Sequence, residues 1–130
     1  MSAEKIFKKL RLDSDKALLI VNAPSEYGSL LEGVNYDTEP RAEGIYDFVQ
    51  VFAIQQAELE TLMKSVGKAG KFDCVFWACY PKGTGKIKSD IKRETVWTAF
   101  DLIELQAVSQ VAIDETWSAL RGRPATMVGK

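Results

Sequence analysis

IYDFVQVFAIQQAELETLMKSVGKAGKFDCVFWACY, residues 45–80, decides the fold. Its first ten residues form an apolar run rich in β-branched and aromatic side chains, the composition of a strand. From about Gln55 to Val66 the period changes, and Leu59, Leu62, Met63 and Val66 line one face of a helix that Gly67 and Gly70 terminate. FDCVFWACY (72–80) is again continuously apolar and is stopped by Pro81. Runs without polar alternation suit strands buried on both faces, as in parallel sheets, so the stretch reads as strand, crossover helix, strand.

Upstream, ALLIV (17–21) is another such run, broken at Pro24. Ser25 can cap a following helix that carries Tyr27, Leu30, Leu31 and Val34 at helical spacing, with Gly33 near its end. A first helix, capped by Ser2, groups Ile6, Phe7 and Leu10 on one face and leaves Lys5, Lys8, Lys9 and Arg11 mostly on the other. Residues 35–44 are polar, with room for a short strand at most. Downstream, Ser89 can cap a helix whose Val96, Trp97, Phe100 and Ile103 form a stripe. Strands over 105–113 and 117–123 follow, joined by Asp114-Glu115-Thr116, and Ser109 and Gln110 make the first of them less buried than the earlier three.

This order predicts an α/β fold, a Rossmann-like three-layer sandwich with a mostly parallel sheet and a C-terminal antiparallel hairpin strand. Residues 1–124 form the domain and 125–130 read as a disordered tail. The strands at 17–21, 45–54, 72–80 and 105–113 are each entered from a helix or crossover, so their carboxyl ends should share one edge.

Composition narrows the chemistry. The 130 residues, 46% hydrophobic, suffice for one core and not for two. Seventeen basic side chains nearly balance eighteen acidic ones, which argues against a dedicated nucleic-acid binder. Histidine is absent, removing Ser-His-Asp and Cys-His catalysis and the commonest metal ligand. No metal or cofactor motif remains. Cys74 and Cys79 lie five residues apart on one strand, hence on opposite faces, and cannot bridge each other; a reducing, cytoplasmic compartment fits. MSAEKIFKKLRLD has no apolar core of a signal peptide, and no apolar stretch approaches the span of a bilayer, so no membrane association is expected.

Four segments, ALLIVNAPSEY, YDFVQVFAIQQAELE, FWACYPKGTGKIKSDI and VAIDETWSALRGRP, in this order between Ala17 and Pro124, resemble a group of small bacterial proteins known as a domain of unknown function. More distantly, the helix leading into the strand at Phe72 and the closing helix and hairpin resemble a shortened class I S-adenosylmethionine-dependent methyltransferase. That resemblance implies a cofactor turn rich in glycine after the first strand. Here the turn reads Val21-Asn22-Ala23-Pro24-Ser25, and its alanine and proline would obstruct close approach to a ligand. The resemblance also implies an acidic ribose-binding residue after a second strand, whereas Asp37 and Glu39 both lie in irregular sequence.

Ligands of open α/β sheets bind beyond the strand carboxyl ends. That rule gathers Asn22, Ser25, Tyr80, Lys82, Gly83, Thr84, Gly85, Lys86, Asp114, Glu115 and Trp117 as candidate ligand-binding residues. Gly83 and Gly85 permit an amide nest for an anion, with Lys82 and Lys86 adding charge, though a solvated loop is the simpler reading and the spacing is not that of a Walker A loop. Ser89 reads as a cap, Cys79 as an inert buried thiol, Asp114 as the cap of the hairpin corner, and Trp117 as core or pocket wall. Arg121 and Arg123 alternate on one face, solvated or paired with nearby acids. No residue is assigned as catalytic. The expected function is a non-catalytic, methyltransferase-like domain that binds a small anionic ligand or a protein partner. The alternatives are an enzyme built on Lys82, Asp114 and Glu115, and a homodimer formed at the last two strands through Val108, Ala112 and Leu120.

Overall fold

The computed structural model describes residues 3–83 and 85–129; the expected Ser2 cap and the candidate Thr84 lie outside them. In chain order the elements are α1 (Ala3–Leu10), β1 (Leu18–Val21), α2 (Ser25–Leu30), β2 (Tyr46–Phe52), α3 (Gln56–Val66), β3 (Gly70–Pro81), α4 (Arg93–Asp101), β4 (Leu105–Ala112) and β5 (Trp117–Pro124). A short 3-10 helix, Ala125–Met127, follows in the stretch the sequence reads as a tail.

The five strands form one sheet in the order β1-β2-β3-β5-β4. β1, β2 and β3 are mutually parallel. β5 runs antiparallel to both β3 and β4, so β4 points the same way as the first three strands. The hairpin therefore folds its second strand inward, and β5 is a central strand rather than an edge. Burial follows: the first six residues of β5 are buried, whereas β4, on the rim, is half-exposed along its length. Leu120, expected to add an outer apolar surface, belongs to the core.

Side-chain alternation sorts the sheet into two cores. Leu19, Val49, Val51, Phe76, Ala78 and Leu120 pack with Leu59, Met63 and Val66 of α3 and with Val96, Ala99 and Phe100 of α4. Leu18, Ile20, Phe48, Phe52, Trp77, Cys79 and Ala119 face the other way, toward Ile6 and Leu10 of α1 and Tyr27 of α2. Helices thus cover both faces, which is why the strands read as unbroken apolar runs. Cys74 and Cys79 fall in opposite cores, as the period of a strand demands, and both are free thiols.

Local details depart from the sequence reading at α2 and α4. Ser25 is the first residue of α2, with Pro24 at the cap position, and the helix ends at Leu30 instead of reaching Val34; Gly33 then turns the chain at φ +84°. Ser89 does not cap α4. That helix starts at Arg93, and Thr95 accepts a hydrogen bond from the amide of Lys92. Residues 35–44 contribute one parallel bridge, Asp37 to Leu19, on the free side of β1.

Candidate functional site at the carboxyl edge of the sheet

Register ties the strand ends together: Val21 pairs with Val51, Phe52 with Cys79, Pro81 with Trp117, and Ala112 with Ser118. The turn after β1, the exit of β2, the loop after β3 and the 113–116 turn consequently lie on the same edge, the arrangement that parallel strands require.

Each segment is shaped by local chemistry. Asn22 sits in the left-handed region at φ +61°, which asparagine tolerates better than other side chains, so the turn after β1 is made without glycine. The carboxylate of Asp114 accepts the amides of Thr116 (2.8 Å) and Trp117 (2.7 Å), closing the hairpin corner as a cap should. Trp117 is buried and meets Phe52 edge-to-face at 5.3 Å, placing its ring in the core rather than on a ligand surface.

Two amides of the glycine loop are bonded to the chain itself. The amide of Lys82 donates to Thr116 O (2.8 Å) and that of Gly85 to Lys82 O (3.0 Å), so these two donors are spent within the fold. A Cβ on Gly85 would lie 3.3 Å from Lys82 O and 3.6 Å from Thr116 O, which explains the residue by close backbone packing against the hairpin. Lys86 is exposed and lines neither cavity beside the 113–116 turn.

The exit of β2 is plugged by the chain itself. Asp90 accepts the Gln56 amide at the start of α3 (2.7 Å), and the Ser89 hydroxyl donates to Ile54 O. An anion seeking the positive end of α3 would meet a carboxylate already there. Asp37 is also committed: its carboxylate accepts from Tyr46 Oη and Arg41 Nε, which hold its pKa below the usual carboxylate range.

Two concavities flank the 113–116 turn. One, of about 350 Å³, lies against α2 and is lined by Glu26, Tyr27 and Leu30. The other, of about 560 Å³, lies against α1 and brings Lys5, Lys9 and Lys82 together around Asp114 and Glu115. Tyr80, Lys82 and Gly83 border a third, of about 360 Å³, with Lys92 and Arg93. Lys5, Lys9 and Glu26 were not legible as site residues. The only sequence signal was the i, i+4 spacing of the two lysines opposite a buried stripe.

A buried polar chain was also invisible in the sequence. Tyr27 Oη donates to Gln50 Oε1 (2.8 Å), and Gln50 Nε2 lies 3.4 Å from Cys79 Sγ. Burial raises the Tyr27 pKa and pushes the Cys79 thiol up to about 12, so neither group has the ionised form that nucleophilic chemistry needs. Among the described residues no group of three or more Cys, Asp or Glu side chains could hold a metal ion.

A mostly parallel sheet with this hairpin and helices on both faces is the fold of S-adenosylmethionine-dependent methyltransferases, and solved structures bear this out. A SAM dependent methyltransferase from Aquifex aeolicus matches with a TM-score of 0.67 at 11% identity, covering 92% of this chain and 88% of that one. Magnesium protoporphyrin IX methyltransferase from Synechocystis PCC 6803 matches at 0.62 and 7% identity, over 95% and 83% of the two chains. The 1,6-didemethyltoxoflavin-N1-methyltransferase of Burkholderia thailandensis matches at 0.58 and 7%, over 94% and 77%. At such identities the likeness is one of fold. No family model and no curated protein matches the sequence, so the resemblance to the small bacterial group rests on the sequence motifs alone.

Proposed function

We propose that this chain is a methyltransferase-like domain without methyl-transfer activity that holds a small anionic molecule between α1 and the 113–116 turn. The observation that carries the reading is the convergence of Lys5, Lys9 and Lys82 on one cavity at the edge where this architecture binds ligands. Three ammonium groups around two carboxylates leave an excess of positive charge, and one carboxylate, Asp114, is already engaged by backbone amides.

The residues present do not fit S-adenosylmethionine. Ala23 and Pro24 stand where close backbone approach is needed, Asp90 fills the start of α3, and the Asp37 carboxylate is held by Tyr46 and Arg41. An enzyme built on Lys82, Asp114 and Glu115 is less well supported for the same reason: Asp114 is a turn cap. Thermal shift with S-adenosylmethionine, nucleotides, sugar phosphates and polyphosphates tests the proposal, since a ligand of the native state raises the melting temperature. A shift with one of the phosphorylated compounds that Lys9→Gln and Lys82→Gln both abolish supports it. A shift with S-adenosylmethionine sinks it.

One feature favours a homodimer as a second reading. β4 forms a rim of the sheet, and its sequence LQAVSQVA contains neither a charge nor a proline to discourage pairing with a second copy. Sedimentation showing a monomer at high micromolar concentration removes this reading. No helix among the described residues is long and apolar enough to cross a membrane.

A further inference from the structure

Arg121 is the one buried arginine among the described residues, only 8% exposed, and its Nε has no hydrogen-bond partner among them. A guanidinium removed from water is costly unless a partner offsets the loss. The nearest acid, Asp73, attracts Arg121 through its charge, while its hydrogen bonds go elsewhere. Asp73 spends both carboxylate oxygens on Arg123, at 2.9 Å from Nε and 2.8 Å from Nη2. The remaining charged neighbours make matters worse: Arg11 and Arg123 are close enough to repel Arg121, and burial and Arg11 together depress its pKa.

The placement follows from register. Arg121 pairs with Trp77 on one side and Ser109 on the other, so all three side chains share the sheet face that α1 covers. Trp77 Nε1 donates to Leu10 O, which pins the end of α1 over this face and sets Arg11, the next residue, beside it. Arg11 is exposed and turns the chain at φ +59°. Ser109, exposed on the rim strand, is the cross-strand neighbour of Arg121. With Arg123 neutralised by Asp73, the cluster carries two uncompensated positive charges.

We propose that Arg121 and Arg11, with Ser109, form an oxyanion site that takes a phosphate group on the α1 face of the sheet, separate from the cavity at the carboxyl edge. Two guanidinium forks match the oxygens of a dianionic tetrahedral group, and a hydroxyl adds a neutral donor.

The test is the melting temperature in inorganic phosphate against chloride at equal ionic strength, with the full chain. Phosphate at tenfold its dissociation constant is expected to raise the wild-type midpoint by about 4 °C. Arg121→Met abolishes this rise and, by removing an unpaired buried charge, melts above the wild type in chloride. Arg11→Gln, at an exposed position, weakens phosphate binding roughly tenfold and decides the matter if Arg121→Met does not fold. Lys64→Gln, at an exposed position on α3, leaves the rise unchanged. No rise in the wild type, an equal rise in Arg11→Gln, or a rise kept in Arg121→Met but lost in Lys82→Gln overturns the site; the last outcome would move the anion to the carboxyl edge.

Discussion

Trp77 and Leu10 lie 67 positions apart and are joined by a hydrogen bond from the indole Nε1 to the Leu10 carbonyl at 2.7 Å. The bond satisfies a buried indole and one of the carbonyls that the end of α1 leaves without an intrahelical partner. It also holds the helix that carries Lys5, Lys9 and, just beyond its end, Arg11. Trp77→Phe should therefore lower unfolding free energy by about 2 kcal/mol, from the lost bond and the smaller ring. It should also weaken any anion effect that depends on α1. Urea unfolding of both proteins measures the first, and equal stability would show that α1 is held by its apolar face alone.

Gly122 faces Phe100 so closely that an added Cβ would come within 2.8 Å of the ring. Phe100 is fully buried between α4 and the sheet and meets Phe76 edge-to-face at 6.1 Å, so its ring has little room to retreat. Gly122→Ala should cost about 1–3 kcal/mol through overpacking, and Gly122→Val more. Thermal denaturation gives the order; a neutral Gly122→Ala would mean that α4 shifts freely over β5.

Acid should unfold the protein through three aspartates. Hydrogen bonds from Tyr46 and Arg41 hold the Asp37 carboxyl below its ordinary range, Lys71 and the Ala17 amide do so for Asp47, and Arg123 does so for Asp73. A folded-state pKa below the unfolded one favours the folded state wherever the unfolded group is ionised, above about pH 4. That contribution is lost as pH falls from there through the lowered values. Urea midpoints should be flat from pH 7 to 5 and decline below pH 4, with a smaller decline in Asp73→Asn. An unchanged decline in the variant would remove Asp73 from the account.

The cysteines should resist modification in the folded state. Burial raises the Cys74 thiol to about 11 and the Cys79 thiol to about 12, leaving little thiolate at neutral pH. A disulfide reagent at pH 8 should label neither within minutes, and both at once in denaturant. Fast labelling of Cys79 in the native protein would show that the core around Gln50 opens readily.

The strands and helices were legible because their signals are local. A run such as FDCVFWACY has to be covered on both sides, and the helical period of Leu59, Met63 and Val66 supplies one cover. The shared edge of the carboxyl ends followed from the same logic, since strands entered through crossovers run parallel. Asp114 could be read as a corner cap because its two acceptor contacts lie within three residues. Ser25 and Ser89 were misread because many serines precede helices without capping them, and tertiary contacts chose otherwise: Ser89 is drawn to Ile54 O.

What the sequence by itself determined is the set of elements, their directions, and the face on which each side chain falls. Cys74 and Cys79 occupy opposite cores for that reason alone. The tertiary structure decided the neighbours. Nothing in WSALRGRP states that it inserts between β3 and β4, because alternation encodes burial and not which strand lies alongside. That insertion buries Arg121 and pairs it with Trp77 and Ser109, while the docking of α1 brings Lys5 and Lys9 to Lys82. Such juxtapositions join residues up to 77 positions apart, and their energies come from packing between elements, which no local pattern records.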